Sequence, residues 1–290
     1  LRPENKKVPF MGYNSTVLSI VTFVYGLAGA LYIFSWVFRK ASAGRAAFWI
    51  TVAASTGNLF GFLLRWYESY QMGSGYGHAP LSNIYESLVF FAFTISVLYI
   101  VVERRYQNRT IGAFALPLAF FALAYASFGT SSKISPLIPA LKSNWLIAHV
   151  MTCFVGYAAF ALAFGVSIMY LLKKGDDHEG LTARLPAPSF LDELTHQLIM
   201  FGFLFLTAGI ITGAVWANSA WGRYWGWDPK ETWSLITWFI YATLLHARLM
   251  RGWSGKRIAL LSLVGFAAVM FTYFGVNLLP GLHSYGAMSQ

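Results

Sequence analysis

Residues Leu198–Trp238 read LIMFGFLFLTAGIITGAVW, then ANSA, then WGRYWGWDPKETWSLITW. The first part, Leu198–Trp216, has no charged residue and is long enough to cross a hydrocarbon core of about 30 Å. The last part, Trp221–Trp238, holds five tryptophans and a tyrosine around the tetrad Asp228-Pro229-Lys230-Glu231. That tetrad is a helix start. Asp228 suits the N-cap, Pro229 the first helical position and Glu231 the third, which together make a capping box. The helix it opens runs on through Ile236, Phe239 and Leu245. The piece before the cap, Trp216–Trp227, carries Gly222 and Gly226 and is expected to be a loop or a shallow surface helix. The stretch therefore reads as span, aromatic loop, capped span.

Working outward, the same apolar run recurs along the chain. Eight runs qualify: Val17–Phe38, Ala46–Leu64, Ile84–Val102, Ile111–Phe128, Trp145–Leu172, Leu198–Trp216, Trp233–Leu249 and Ile258–Val276. Composition agrees: 57% of residues are hydrophobic, 18% aromatic and only 11% charged, against about 25% charged in soluble domains. The expected fold is all-α, a polytopic membrane bundle of about eight helices forming one domain over residues 1–290, with the tryptophan-rich segment 216–238 as an external loop. The run Trp145–Leu172 is long for a perpendicular helix and should tilt or project. The polar opening, Leu1–Lys7, does not resemble a signal peptide. Lys and Arg concentrate in the connections after the first, third, fifth and seventh runs, which places those connections inside, and both termini and the tryptophan loop outside. The net charge of +10 reflects this asymmetry and no basic soluble module, which argues against a nucleic-acid partner. The inner segment Lys173–Gln197 reads as a solvated connector, and Arg65–Asn83 and Gly129–Asn144 as outer loops.

Indole faces beside Arg223, Lys230 and a helix N-terminus suit a large, flat, apolar ligand with anionic groups at its edge. A porphyrin has that form: the ring would lie on the tryptophans and the propionates would meet cations and helix N–H groups. Tryptophans also gather in interfacial belts, and on the residues alone both readings stand. Cys153 is the sole cysteine, so the chain forms no internal disulfide or dithiol pair, and the residue reads as a small buried hydrophobe. Of six histidines, His149 lies at the outer end of the fifth run and His283 just past the eighth. Two imidazoles on one face are a standard way to hold haem iron from both sides. His246 lies about 20 Å along the seventh helix from Trp233, at 1.5 Å per residue, in the inner half of the membrane. An ionisable group there is a functional candidate, or a residue reaching the inner interface beside Arg248. His78 reads as a loop residue, Glu86 as a capping partner near Ser82 and Asn83, and His178 and His196 carry no assigned role. No residue pair stands out as a catalytic acid and base.

WGRYWGWDPKETWSLITW closely resembles the "WWD" signature of haem-handling proteins of cytochrome c biogenesis, best that of the CcsA (ResC) family of system II. Pro80–Ser87, PLSNIYES, and Leu279–Ser284, LPGLHS, extend the resemblance over most of the chain. The resemblance implies haem transport across the membrane and covalent attachment to an apocytochrome c that presents a C-x-x-C-H motif. It implies haem b as the bound substrate, held in the loop by Trp221, Trp225, Trp227, Asp228, Trp233, Arg223 and Lys230. It also implies iron ligation by His149 and His283 outside, and by His246 deeper, where a membrane partner of the CcsB (ResB) type supplies the second ligand. The enzyme would then be a holocytochrome c synthase (haem lyase) formed with that partner, in a bacterial inner membrane or a thylakoid. The alternative is a haem exporter or chaperone of the CcmC type, without attachment activity.

Overall fold

The computed structural model describes residues 12–73, 75–138, 141–173 and 180–279. His283, His178, the acidic residues Asp176, Asp177 and Glu179, and both termini lie outside them. Among the described residues there are eight α-helices and no strand: α1 (Tyr13–Phe38), α2 (Ala41–Gln71), α3 (Ile84–Tyr106), α4 (Gly112–Gly129), α5 (Asn144–Leu172), α6 (Pro188–Trp221), α7 (Pro229–Arg251) and α8 (Lys256–Tyr273).

Seven of them are long and apolar enough to cross a membrane. The chain is an integral membrane protein. The exception is α7, whose 23 residues reach about 34 Å at 1.5 Å per residue. It carries Lys230 and Glu231 in its first turns and Arg248 and Arg251 in its last turn, and its apolar window is correspondingly weaker. Three helices exceed a core thickness: α2 with 31 residues, α5 with 29 and α6 with 34.

Successive helices run antiparallel, and polar contacts fix which ends meet. The backbone N–H of Gly12, before α1, donates to Glu68 near the end of α2. Tyr273, at the end of α8, meets Ser87, in the first turn of α3, through hydroxyls 2.6 Å apart. Arg248 near the end of α7 pairs with Asp192 near the start of α6 at 2.7 Å. One end of the bundle therefore gathers the connections between α2 and α3, α4 and α5, and α6 and α7; it is called the loop end below. Helices α1 to α4 pack on one another, α5 to α8 likewise, and α3 and α4 join the two groups through α5.

The closest approach is between α5 and α6, and glycine permits it. A Cβ at Gly156 would lie 3.0 Å from the Gly202 carbonyl oxygen, and one at Gly209 would lie 2.5 Å from Cys153 Sγ. Small residues that let backbones approach are the usual basis of helix association in lipid, where apolar burial adds nothing.

The structure divides the chain differently from the sequence in three places. First, α6 continues through Ala217–Ala220 to Trp221 and ends at Gly222, whose φ of 73° is the left-handed C-cap that glycine adopts freely. The aromatic loop is therefore shorter than Trp216–Trp227. Second, Lys173–Gln197 is only partly a connector, since Pro188 opens α6 and Asp192 is ion-paired. Third, Arg65 is no outer-loop cation. It sits inside α2 at 1% exposure, paired with Glu86 at 2.9 Å.

Candidate functional site

A cavity of about 730 Å³ opens among the loop ends of α3, α5, α6, α7 and α8. That volume lies within the range of small-molecule and cofactor sites. One wall is aromatic. It is built by His149 of α5, Trp216 of α6, and Tyr224 and Trp225 of the loop between α6 and α7. Below them Phe154, Tyr157 and Leu206 continue the apolar lining.

His149 is held in one orientation. Its Nδ1 lies 2.7 Å from the Gly209 carbonyl oxygen. A carbonyl only accepts, so Nδ1 carries the proton and the lone pair is on Nε2. This is how ligating histidines are commonly oriented, with the second ring nitrogen bonded to the protein. The ring stacks on Trp216, centroids 6.0 Å apart at an interplanar angle of 12°. Gly213 makes room for it: a Cβ there would lie 2.6 Å from Nδ1. The pair Gly209 and Gly213, one turn apart on α6, thus supplies both an acceptor and a niche.

The tryptophan loop is stitched by its own capping box. Lys230 N–H donates to Asp228 Oδ1 at 2.9 Å, and Glu231 Oε2 accepts from the N–H groups of Asp228, at 3.2 Å, and Gly226, at 2.7 Å. One carboxylate therefore holds two loop amides as well as the cap. The sequence placed this box correctly because all of its partners are local. Trp227 completes the turn with φ of 57°, unusual for a residue other than glycine.

The candidate residues separate on this geometry. Trp225 and Lys230 line the cavity together with His149. Trp221 backs the wall, its ring 4.8 Å from that of Trp216. Trp227 is 69% exposed and touches Trp225 edge-on at 5.8 Å. Trp233 is turned toward α8, packed 4.1 Å from Phe271. Asp228 is buried as the cap. Arg223 is exposed and lies over Gly226, outside the cavity lining. His246 is exposed on α7, five residues before its end and far along that helix from the cavity. His283 lies outside the described residues.

His78 and Glu86 have structural partners. His78 is buried, with Nδ1 2.6 Å from the Tyr76 carbonyl and Nε2 3.1 Å from Ser82 Oγ. The Asn83 side chain accepts from Glu86 N–H, and Glu86 Oε2 in turn accepts from Ser82 N–H and Oγ–H, each at 2.8 Å. Glu86 is thus a capping partner, with the added task of neutralising Arg65. Cys153 is buried one turn below His149 and also lines the cavity.

Sequence reasoning missed three parts of the site. Trp216 passed as the end of a span, Gly213 passed unnoticed, and residues 81–87 and 130–135 were read as a helix cap and an outer loop, with no part in a cavity lining. The Gly209-x-x-x-Gly213 spacing on a membrane helix was the available signal for the first two.

An α-helical integral membrane protein with an aromatic, histidine-bearing cleft at one end is the class that these features define. Residues 81–283 match the family of cytochrome c assembly proteins, a segment that begins at the polar wall and ends at His283. The chain is 42% identical to the cytochrome c biogenesis protein CcsA of Parasynechococcus marenigrum (strain WH8102), over 77% of this chain and 81% of that protein. It is 38% identical to the CcsA of Synechococcus sp. (strain CC9311), over 93% and 98%, and 38% to that of Pyropia yezoensis, over 92% and 97%. Its fold is similar to that of the cytochrome c haem lyase CcmF, with a TM-score of 0.66 at 16% identity, covering 91% of this chain and about half, 49%, of that one. The chain belongs to the cytochrome c assembly protein family, and its function lies in cytochrome c biogenesis.

Proposed function

We propose that the protein holds haem b in the loop-end cleft and presents it for covalent attachment to an apocytochrome c. One observation carries this reading: an imidazole, fixed by the Gly209 carbonyl so that Nε2 bears the lone pair, stands on the wall of a 730 Å³ aromatic cavity. The donor set fits the substrate. Nε2 is a ligand for iron, Trp216 and Trp225 offer indole faces to a macrocycle, and the cavity carries two lysines against one carboxylate, Glu231, which is already bonded to backbone amides.

On this reading His149 supplies one axial ligand and His283 the other. His246 acts separately, at an earlier position on the haem's route. Its exposed place on α7 suits a ligand shared with a membrane partner of the CcsB type. The loop end faces outside, in a bacterial inner membrane or a thylakoid. The protein's part is positioning: bringing the vinyl groups of haem to the two thiols of C-x-x-C-H, whose addition to the vinyl carbons is the cofactor's own chemistry. The chain is then one component of a holocytochrome c synthase.

Co-expression with a CcsB-type partner and an apocytochrome c tests the proposal. A product with covalently bound haem is expected. Free haem passed on with no covalent product would favour the exporter reading, and a purified protein without a Soret band would end the haem reading altogether.

A further inference from the structure

Two separate segments bring polar groups to the cavity lining. Ser82, Asn83 and Ser87 come from the start of α3, and Ser131, Lys133 and Ser135 from the connection between α4 and α5. Loops of this kind need an anchor if they are to shape a cavity, and here the anchor is a buried cation. Arg65 donates from Nη1 to the Ser132 carbonyl at 2.7 Å, and from Nη2 to the Lys133 carbonyl at 3.4 Å. Its Nε donates to Glu86, whose other oxygen holds both polar groups of Ser82. Nη1 also reaches Asn14 Oδ1 at 3.3 Å, and Asn14 is bonded to Glu68. Leaving a buried charge unpaired is costly, so this cluster persists only as a satisfied unit. It fixes the two strips of backbone that carry Ser82 and Lys133.

The charge on the cavity wall is uneven. Lys133 and Lys230 line it, and Glu231 is the carboxylate among the lining residues, already engaged by Gly226 and Asp228. Arg223, the other cation near the tryptophans, lies outside the lining. The α7 N-terminus has its first amides occupied by the capping box. Of the two lysines, Lys133 comes from the segment that also brings Ser131 and Ser135 to the lining, and Lys230 from the first turn of α7 beside the tryptophan loop.

We infer that Lys133, with the Ser82–Asn83 and Ser131 groups beside it, forms a carboxylate subsite that receives a propionate of the bound haem, and that the Arg65–Glu86 unit positions it. The inference rests on the haem reading above and adds which wall takes the acidic edge, and thereby which way round the ring lies. Lys133 is exposed at the rim, so its contribution is modest and screened by salt.

The test compares haem with haem dimethyl ester, in which both propionates are neutral, using the purified full chain in detergent. Lys133→Ala should weaken haem binding by roughly two- to fivefold, the range for exposed ion pairs, and Lys133→Glu by more. Lys133→Arg should bind as the parent does. None of the three should change binding of the dimethyl ester, and the difference between parent and Lys133→Ala on haem should shrink as salt is raised. Equal losses for both ligands would mean that Lys133 supports the fold and reads no carboxylate; no loss for either would mean that the acidic edge lies elsewhere. Both results overturn the subsite and leave the haem reading standing. A parent protein that binds neither ligand overturns both.

Discussion

His149 and His246 both lie on helices of the bundle, α5 and α7, and their surroundings are opposite. His149 is enclosed between helices: its Nδ1 proton goes to Gly209, its face lies on Trp216, and a glycine niche accommodates its edge. His246 stands exposed on α7, whose buried residues Thr237, Tyr241, Leu244 and Ala247 lie on its packed face. The first residue has been given its orientation by this chain alone. The second presents an ionisable ring on the surface of α7, which at the membrane depth proposed for it is costly unless something polar covers it. The contrast separates a ring oriented inside the bundle from one left at its surface.

The largest expected effect tests the preorganised side. His149→Ala should lower haem affinity by more than the roughly 10–100-fold typical of losing an outer-shell partner of a metal ligand. Added imidazole should recover part of the reduced spectrum. Normal ligation in this variant would transfer the role to another residue. Gly213→Ala comes next. Alanine favours a helix over glycine, so folding should not suffer, yet the new Cβ would lie 2.6 Å from the imidazole. Turning the ring should weaken haem binding by roughly 10–100-fold, while thermal stability in detergent stays level. If binding is unchanged, the niche has no role.

A smaller effect separates the tryptophans. Trp225→Ala should cost roughly 0.5–1.5 kcal/mol of haem binding beyond its area term, because Trp225 lines the cavity. Trp227→Ala should cost less, since that ring is largely exposed. Haem titrations that rank the two the other way would move the binding face to the outside of the loop. The smallest effect belongs to the other side of the comparison. His246→Ala should leave the haem spectrum and affinity of the isolated chain as they were, and reduce haem arrival only when a membrane partner is present. A changed spectrum in the isolated chain would join the two histidines into one site and remove the contrast.

What could be read from the sequence tracks the range of the interactions. The capping box at Asp228 and Glu231, and the cap of α3 at Asn83 and Glu86, were legible because each involves residues within four positions. The membrane class was legible because composition and run length report it directly. The fate of Arg65 was not: its partners lie between 21 and 68 residues away, and at the end of an apolar run a cation reads naturally as the start of a loop. The orientation of His149 also depends on a partner 60 residues distant. The place of His246 along α7 followed from helix rise, and its exposure could have been read from the spacing of Thr237, Tyr241 and Leu244, which leaves position 246 off their stripe. The extension of α6 to Trp221 escaped because Asn218 and Ser219 look like the end of a span, although Gly222 marked the true stop.

The stitched tryptophan loop has a consequence for time rather than for affinity. Only Arg223 to Trp227 lie between the C-cap glycine of α6 and the N-cap aspartate of α7, and Glu231 holds two of the loop's amides. So short a tether, closed at both ends, is a poor lid. If haem occupies the cleft as proposed, it enters and leaves past a standing wall, and its residence is set by the contacts it makes there rather than by the opening of a gate.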